Sequence, residues 1–508
     1  MRSLALVLLL PCLVEAQPLA ERIQALERRH PAVGRAFWGA KVVDLDTGET
    51  LYEHNARRLF VPASNAKLFS TALALRRLGP DHRFITLVLA DQEPGADGVL
   101  QGDLRLVGGG DPTMSDRKIP YEKAERRGDP LAALEELADL VTARPLRAIE
   151  GAVVGDESAY VDEPYPPGWS VDDITWEYGA PVSALTLHDN AFRLVVRGGP
   201  QPGEPAWINL APPLELYPVE NRVATVAADA AGVFLDWPPG ARKIRLWGSL
   251  RPGQAREFSL AVRHPALHAA SVFDSILRRR GITVRDAPKT RHLAAADAGG
   301  LKEPPAQRAP EGVELARRTS PPLFEILRIV NKVSQNLYAE LVLREVGRVR
   351  RNVGSRAAGL GELNAFLREA GISQEEYHFE DGSGLSRLNL VSPEAVTKLL
   401  THLYLSPDRD GWLETLPVGG EDGTLSHRFR GTGVENRVFA KTGTLTHVSA
   451  LSGYVETAPG THLAFSVLVN NSGVPAAVAR RFIDELVGIL SERGRPAAVG
   501  APAREALP

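Results

Sequence analysis

The 508-residue sequence predicts an α+β, multi-domain chain built round one discontinuous domain, opened near the N-terminus and completed near the C-terminus. Three observations predict it. A helix–strand–strand–helix run comes first. From about residue 85 there follow many short alternating runs punctuated by Gly, Asp and Pro. Helices and three closing strands then return, so the early strands and the late ones are expected to share a sheet.

Taken in order, residues 18 to 30 place Leu19, Ile23 and Leu26 on one helical face. Two strands are expected at Ala36–Asp44 and Leu51–Glu53, with Asp46-Thr47-Gly48 as the turn between them. Pro62 precedes an apolar helix over Ser64–Leu75. In the β-rich region, strands are expected at Phe84–Leu89, Leu104–Val107, Ala152–Val154, Phe192–Val196, Trp207–Leu210, Gly232–Leu235 and Lys243–Leu246, with one helix at Leu131–Ala143. Helices follow at Ala266–Gly281, Leu323–Glu345 and Ser355–Ala370, and a Pro-rich stretch at 303–310 reads as a linker or surface loop. Strands at Val438–Lys441, Ala450–Val455 and Leu463–Val469 and a helix at Ala476–Ser491 close the pattern, before a loose tail.

Apolar residues make up 44% and charged residues 24%, so there is ample material for cores. The net charge is −3 with the two signs interspersed, which argues against a nucleic-acid partner. Arg2, the apolar run Leu4–Leu10 and the small residues Val14 and Ala16 predict a secretory leader over 1–16. The one cysteine, Cys12, falls inside it, so a processed chain carries no thiol, disulfide or cysteine metal site. Pro11 is ill suited to lipoprotein processing at Cys12. No other run is long and apolar enough to span a bilayer, and export to the periplasm or cell envelope is expected.

Three short motifs carry chemistry. In Ser64-Asn65-Ala66-Lys67 the i, i+3 spacing lets Lys67 reach the Ser64 hydroxyl on a helix. A helix start also supplies N–H groups and a dipole that favour developing negative charge. The pattern alone is weak, since an ordinary N-cap would look the same and Ser115-Asp116-Arg117-Lys118 repeats it in what reads as a solvated loop. Lys441-Thr442-Gly443-Thr444 ends a strand, where a cation, two hydroxyls and a glycine suit a substrate carboxylate; a solvated strand end is the plainer reading. Ser334-Gln335-Asn336 interrupts apolar helical segments, either as polar interior positions or as a loop over a cleft.

Taken together and in this order, Ser-x-x-Lys, Ser-x-Asn and Lys-Thr-Gly form the signature of β-lactamases and penicillin-binding proteins. The sequence most resembles the D-alanyl-D-alanine carboxypeptidase/endopeptidase family, the class C low-molecular-mass penicillin-binding proteins. Further stretches that carry the resemblance are Leu106–Pro112, Asp381-Gly382-Ser383-Gly384-Leu385-Ser386-Arg387, Pro417–Leu425 and Gly453-Tyr454-Val455. The interval of 270 residues between Ser64 and Ser334 also fits, because this family fills it with two nested β-rich insert domains. The resemblance implies a transpeptidase-like domain over 17–85 and 266–492, one insert over 86–180 and 241–265, and a second over 181–240, with 493–508 as tail.

The resemblance also implies roles. Ser64 is the expected nucleophile and Lys67 its base; Ser334 and Asn336 relay the leaving-group proton and hold the substrate amide. Lys441, Thr442, Gly443 and Thr444 line the carboxylate site, and the N–H groups of Ser64 and Thr444 form an oxyanion hole. Asp173, with Asp172 as the alternative, is expected to meet the amino group of the peptide's diamino acid. Gln335 stands where many relatives carry Asp. The implied partners are peptidoglycan stem peptides and, as acylating inhibitors, β-lactams. No cofactor is expected, and the twelve histidines show no zinc-protease spacing. A β-lactamase and a non-catalytic peptidoglycan-binding protein are the rival readings, and the oligomeric state is open.

Overall fold

Short apolar runs early and late in the chain build the central layer. The computed structural model describes residues 18–212, 216–298, 310–458 and 460–492. The expected leader, the tail and most of the Pro-rich stretch lie outside them. The central sheet runs in the order Val438–Leu445, Val448–Glu456, His462–Asn470, Phe37–Asp44, Thr50–His54, with antiparallel neighbours throughout. Its middle strands are buried nearly end to end because helices cover both faces. On one face Ile23 and Leu26 of Leu19–Arg29 meet Phe482, Leu486 and Leu490 of Ala476–Ser491 over Val42, Leu451 and Phe465. On the other, Ala66–Leu78, Leu323–Lys332, Asn336–Arg351 and Pro393–Tyr404 pack over Ala450, Tyr454, Ala464 and Leu468.

The helical run expected over Leu323–Glu345 divides at the second motif. Helix Leu323–Lys332 ends with Lys332 paired to Asp422 at 2.6 Å. Ser334 takes φ +67°, which stops the helix, and Gln335 caps the next one by accepting from the N–H of Tyr338. Helix Pro393–Tyr404 escaped the periodicity reading, although Ser392 as cap and Pro393 at its first turn announce it.

A second body is a five-stranded sheet in the order Lys289–Leu293, Val153–Val161, Leu104–Val107, Ile85–Ala90, Val313–Thr319, with helices Ala132–Thr142 and Pro265–Arg279 sharing its core. Ala266, Phe273 and Ile276 pack with Leu134, Leu137 and Val153, and the chain joins the central layer only after Val313–Thr319. A third body pairs two three-stranded sheets around Phe192, Leu194, Trp237, Ile244, Leu246 and Leu260. Its core takes residues from Phe192 to Val262, with Ile244, Leu246, Leu250, Phe258 and Leu260 among them.

Candidate active site

Ser64 lies in a single 3-10 turn, Ala63–Asn65, that leads into helix Ala66–Leu78. The preceding Ala63 holds φ +48°, an unfavourable backbone for alanine. It is held from outside. Gly384, at φ +83°, presses so close that a Cβ there would stand 1.9 Å from the Ala63 carbonyl oxygen. Asn65 donates to the Lys441 carbonyl at 3.0 Å and ties the turn to the edge strand Val438–Leu445.

One helical turn on, Lys67 Nζ stands 2.9 Å from Ser64 Oγ, 2.6 Å from Asn336 Oδ1 and 2.6 Å from the Ser383 carbonyl. Its side chain is fully buried, and burial pulls its pKa down to about 7 while the carboxylates of Asp381 and Glu340 act in the opposite direction. A lysine poised there exchanges its proton near neutrality. Lys441 is also fully buried; burial first, and then the Lys67 charge, hold its pKa far below the usual lysine range. Its Nζ donates to Ser334 Oγ at 2.8 Å and to the Thr442 carbonyl at 3.0 Å.

The three sequence motifs thus converge: Ser64 and Lys67 from the helix start, Ser334 and Asn336 from the break between helices, and Lys441 to Thr444 from the sheet edge. The strained φ of Ser334 lets its hydroxyl face Lys441, while Asn336 opens the next helix facing Lys67. Thr442 Oγ1 meets Thr424 Oγ1 at 2.9 Å, and Thr444 Oγ1 accepts from Arg480 at 3.3 Å. Gly443 is required by space, since a Cβ would stand 2.7 Å from the Pro62 carbonyl oxygen.

Asp173 reaches this cluster at second hand. Asn336 Nδ2 donates to the Tyr178 carbonyl at 2.7 Å, and the Tyr178 hydroxyl donates to Asp173 Oδ1 at 3.1 Å. Asp172 is exposed beside it. Ser115, in contrast, stays in a loop as expected but is half-buried rather than solvated, against the Tyr338 hydroxyl at 3.2 Å.

Sequence reasoning assigned no role to the support of Lys67. Glu340 accepts the N–H groups of Gly382 and Ser383 at 2.9 and 2.8 Å, and pairs with Arg344. Asp381 accepts from Gly384, Ser386 and the Trp169 indole at 2.7–2.8 Å. These contacts set the Ser383 carbonyl that Lys67 uses. The Glu340–Arg344 pair at i, i+4 reads like a solvated helix face, and only its burial reveals otherwise. Elsewhere, Glu157, Asp162 and His292 of the second body bring metal-type ligand atoms within 4.8 Å of one another, with Glu157 already bonded to Ser183 and His292.

The chain is similar to known proteins over most of its length. A curated D-alanyl-D-alanine carboxypeptidase of Actinomadura sp. (strain R39) is 37% identical over 473 residues, covering 91% of this chain and 82% of its own. The D-alanyl-D-alanine carboxypeptidase DacB of Haemophilus influenzae is 26% identical over 432 residues, 84% of each chain. The crystal structure of penicillin binding protein 4 (dacB) from Haemophilus influenzae superposes with a TM-score of 0.77 at 25% identity, covering 92% of this chain and 99% of that one. The profile of the D-Ala-D-Ala carboxypeptidase 3 (S13) family matches residues 19–493, and the chain belongs to that family of serine-type D-Ala-D-Ala carboxypeptidases.

Proposed function

We propose that Ser64 is the acylated nucleophile of a penicillin-sensitive DD-peptidase acting on peptidoglycan stem peptides. The observation that carries this is the 2.9 Å approach of Lys67 Nζ to Ser64 Oγ, with Lys67 drawn to about 7 by burial. Neutral Lys67 takes the Ser64 proton as Oγ bonds the carbonyl carbon of the penultimate D-alanine. The negative charge that develops on the carbonyl oxygen is received by the N–H groups of Ser64 and Thr444. The C–N bond then breaks, and the leaving nitrogen takes its proton through Ser334, which Lys441 supports at 2.8 Å. Water attacks the acyl-enzyme and frees Ser64. Terminal D-alanine as leaving group makes the reaction a carboxypeptidation; a cross-linked neighbouring stem makes it an endopeptidation.

Lys441, Thr442, Gly443 and Thr444 hold the carboxylate next to the scissile amide, Asn336 holds the substrate amide, and Asp173 receives the side-chain amine of the diamino acid. Penicillins present a carboxylate and a strained amide to the same groups and acylate Ser64. The chain acts outside the cytoplasm, in the periplasm or envelope, where its polymer substrate lies. Mass spectrometry after brief exposure to benzylpenicillin tests the assignment. A persistent adduct of one drug molecule on the peptide bearing Ser64, absent in Ser64→Ala, is expected. An untouched protein with intact drug refutes the assignment, and rapid consumption of the drug would make the chain a β-lactamase.

A further inference from the structure

The outer face of the third body holds an aromatic row that none of the catalytic roles uses. In the sheet formed by Val219–Thr225, Ile244–Leu250 and Gly232–Asp236, Leu246 and Ile244 point into the core, so their neighbours point outward. The strand registers set Arg222, Trp247 and Phe234 side by side across the three strands. Trp247 and Phe234 are 44% and 49% exposed, and their rings lie nearly parallel, 20° apart with centroids at 5.8 Å. Arg222 is 74% exposed beside them. Pro205 bridges Ala224 at the neighbouring edge and is followed two residues on by Trp207, a third exposed aromatic.

The flanking rows decide what such a face can hold. On one side lie Glu220, Arg245 and Asp236, and on the other Ala224, Ser249 and Gly232. The apolar area is therefore a narrow stripe, edged by charged side chains on one side and on the other by Ser249 and the small residues Ala224 and Gly232. A stable protein partner needs roughly 800 Å² a side with an apolar centre, which this stripe cannot supply. It does suit a narrow polymer whose units each present a flat C–H face and a polar rim. Among the cations, Arg222 and Lys243 share Glu220, and Arg245 stands 3.6 Å from Asp236, which leaves one positive charge in excess. That excess complements a polymer bearing carboxylates.

We propose that this row is a platform for the glycan strand of peptidoglycan, a chain of β-linked N-acetylated hexosamines, with Trp247 and Phe234 stacking on successive sugar rings. Arg222 and Arg245 hydrogen-bond the acetamido and carboxyl groups along its edge. The platform anchors the enzyme on its polymer, and its occupant, though not its geometry, rests on the family's substrate. It needs no acyl-enzyme, so it can fail while the Ser64 assignment stands.

The test uses the full processed chain and two probes: a soluble β-1,4-linked N-acetylglucosamine hexamer followed by tryptophan fluorescence, and co-sedimentation with peptidoglycan stripped of its stem peptides. Both are expected to show binding, weakened about tenfold in Trp247→Ala and again in Phe234→Ala. Benzylpenicillin acylation of Ser64 should be unchanged in these variants, which shows the catalytic body intact. The proposal is overturned if the unmodified chain binds neither probe, if both variants bind as well as it does, or if binding requires the stem peptides. It is equally overturned if Trp247→Ala converts a dimer to a monomer, which would assign the face to a second copy of the chain.

Discussion

The ionisation of Lys67 should be visible directly in the rate at which Ser64 is acylated. The perturbation is pH alone. Lys67 titrates near 7 in the folded protein rather than at 10.5 because its ammonium is buried, a difference of about 5 kcal/mol between its two protonation states. Only the neutral amine can take the Ser64 proton. With a midpoint of 7, about one-eleventh of the molecules are competent at pH 6 and about ten-elevenths at pH 8. The second-order rate constant for benzylpenicillin should therefore rise about tenfold per unit on the acid side and level off above neutrality. Stopped-flow acylation from pH 5 to 9, with circular dichroism to confirm the fold at each point, measures it. A flat profile over that range refutes Lys67 as the proton acceptor. A rate still rising tenfold per unit at pH 9 would mean that the buried site lowers the lysine far less than this.

The same lysine links pH to stability. Its folded pKa lies below its unfolded value, so the unfolded chain binds more protons between about pH 7 and 10.5 and the group's contribution to stability rises with pH in that window. The difference in unfolding free energy between the wild type and Lys67→Met should thus move in the wild type's favour by about 1.4 kcal/mol per pH unit from 7 to 10, measured by urea denaturation. Ser334→Ala removes the 2.8 Å partner of Lys441 and should slow acylation by about 10²–10⁴, with the melting point little changed. Gly384→Ala places a methyl against the Ala63 carbonyl at a left-handed backbone position. It should cost about 2–4 kcal/mol and impair acylation as well, since the Ser64 turn must move. Asp173→Asn should lower kcat/KM about tenfold to a hundredfold for stem peptides with a free side-chain amine, with penicillin acylation unaltered; equal loss on both would place Asp173 outside the substrate site.

Local chemistry made much of this chain legible. Short apolar runs bounded by turn residues placed the strands of the central sheet, because a strand covered on both faces reads as a near-continuous apolar run. Ser64, Lys67, Ser334, Asn336 and Lys441 could be named from spacing and from the order of the three motifs. What spacing could not supply was the environment of those groups. Nothing local in Lys67 or Lys441 says that each is fully buried, yet that burial is what brings Lys67 to neutrality. The packing of Pro265–Arg279 against the second sheet likewise follows from a core assembled across long sequence separations, which no window of residues reveals. Glu340, which nothing in the sequence singles out, holds the loop that binds Lys67. The sequence by itself brought out the candidate groups and the elements on which they sit. The tertiary structure alone decided their protonation and mutual reach, because desolvation and charge proximity depend on neighbours brought from hundreds of residues away.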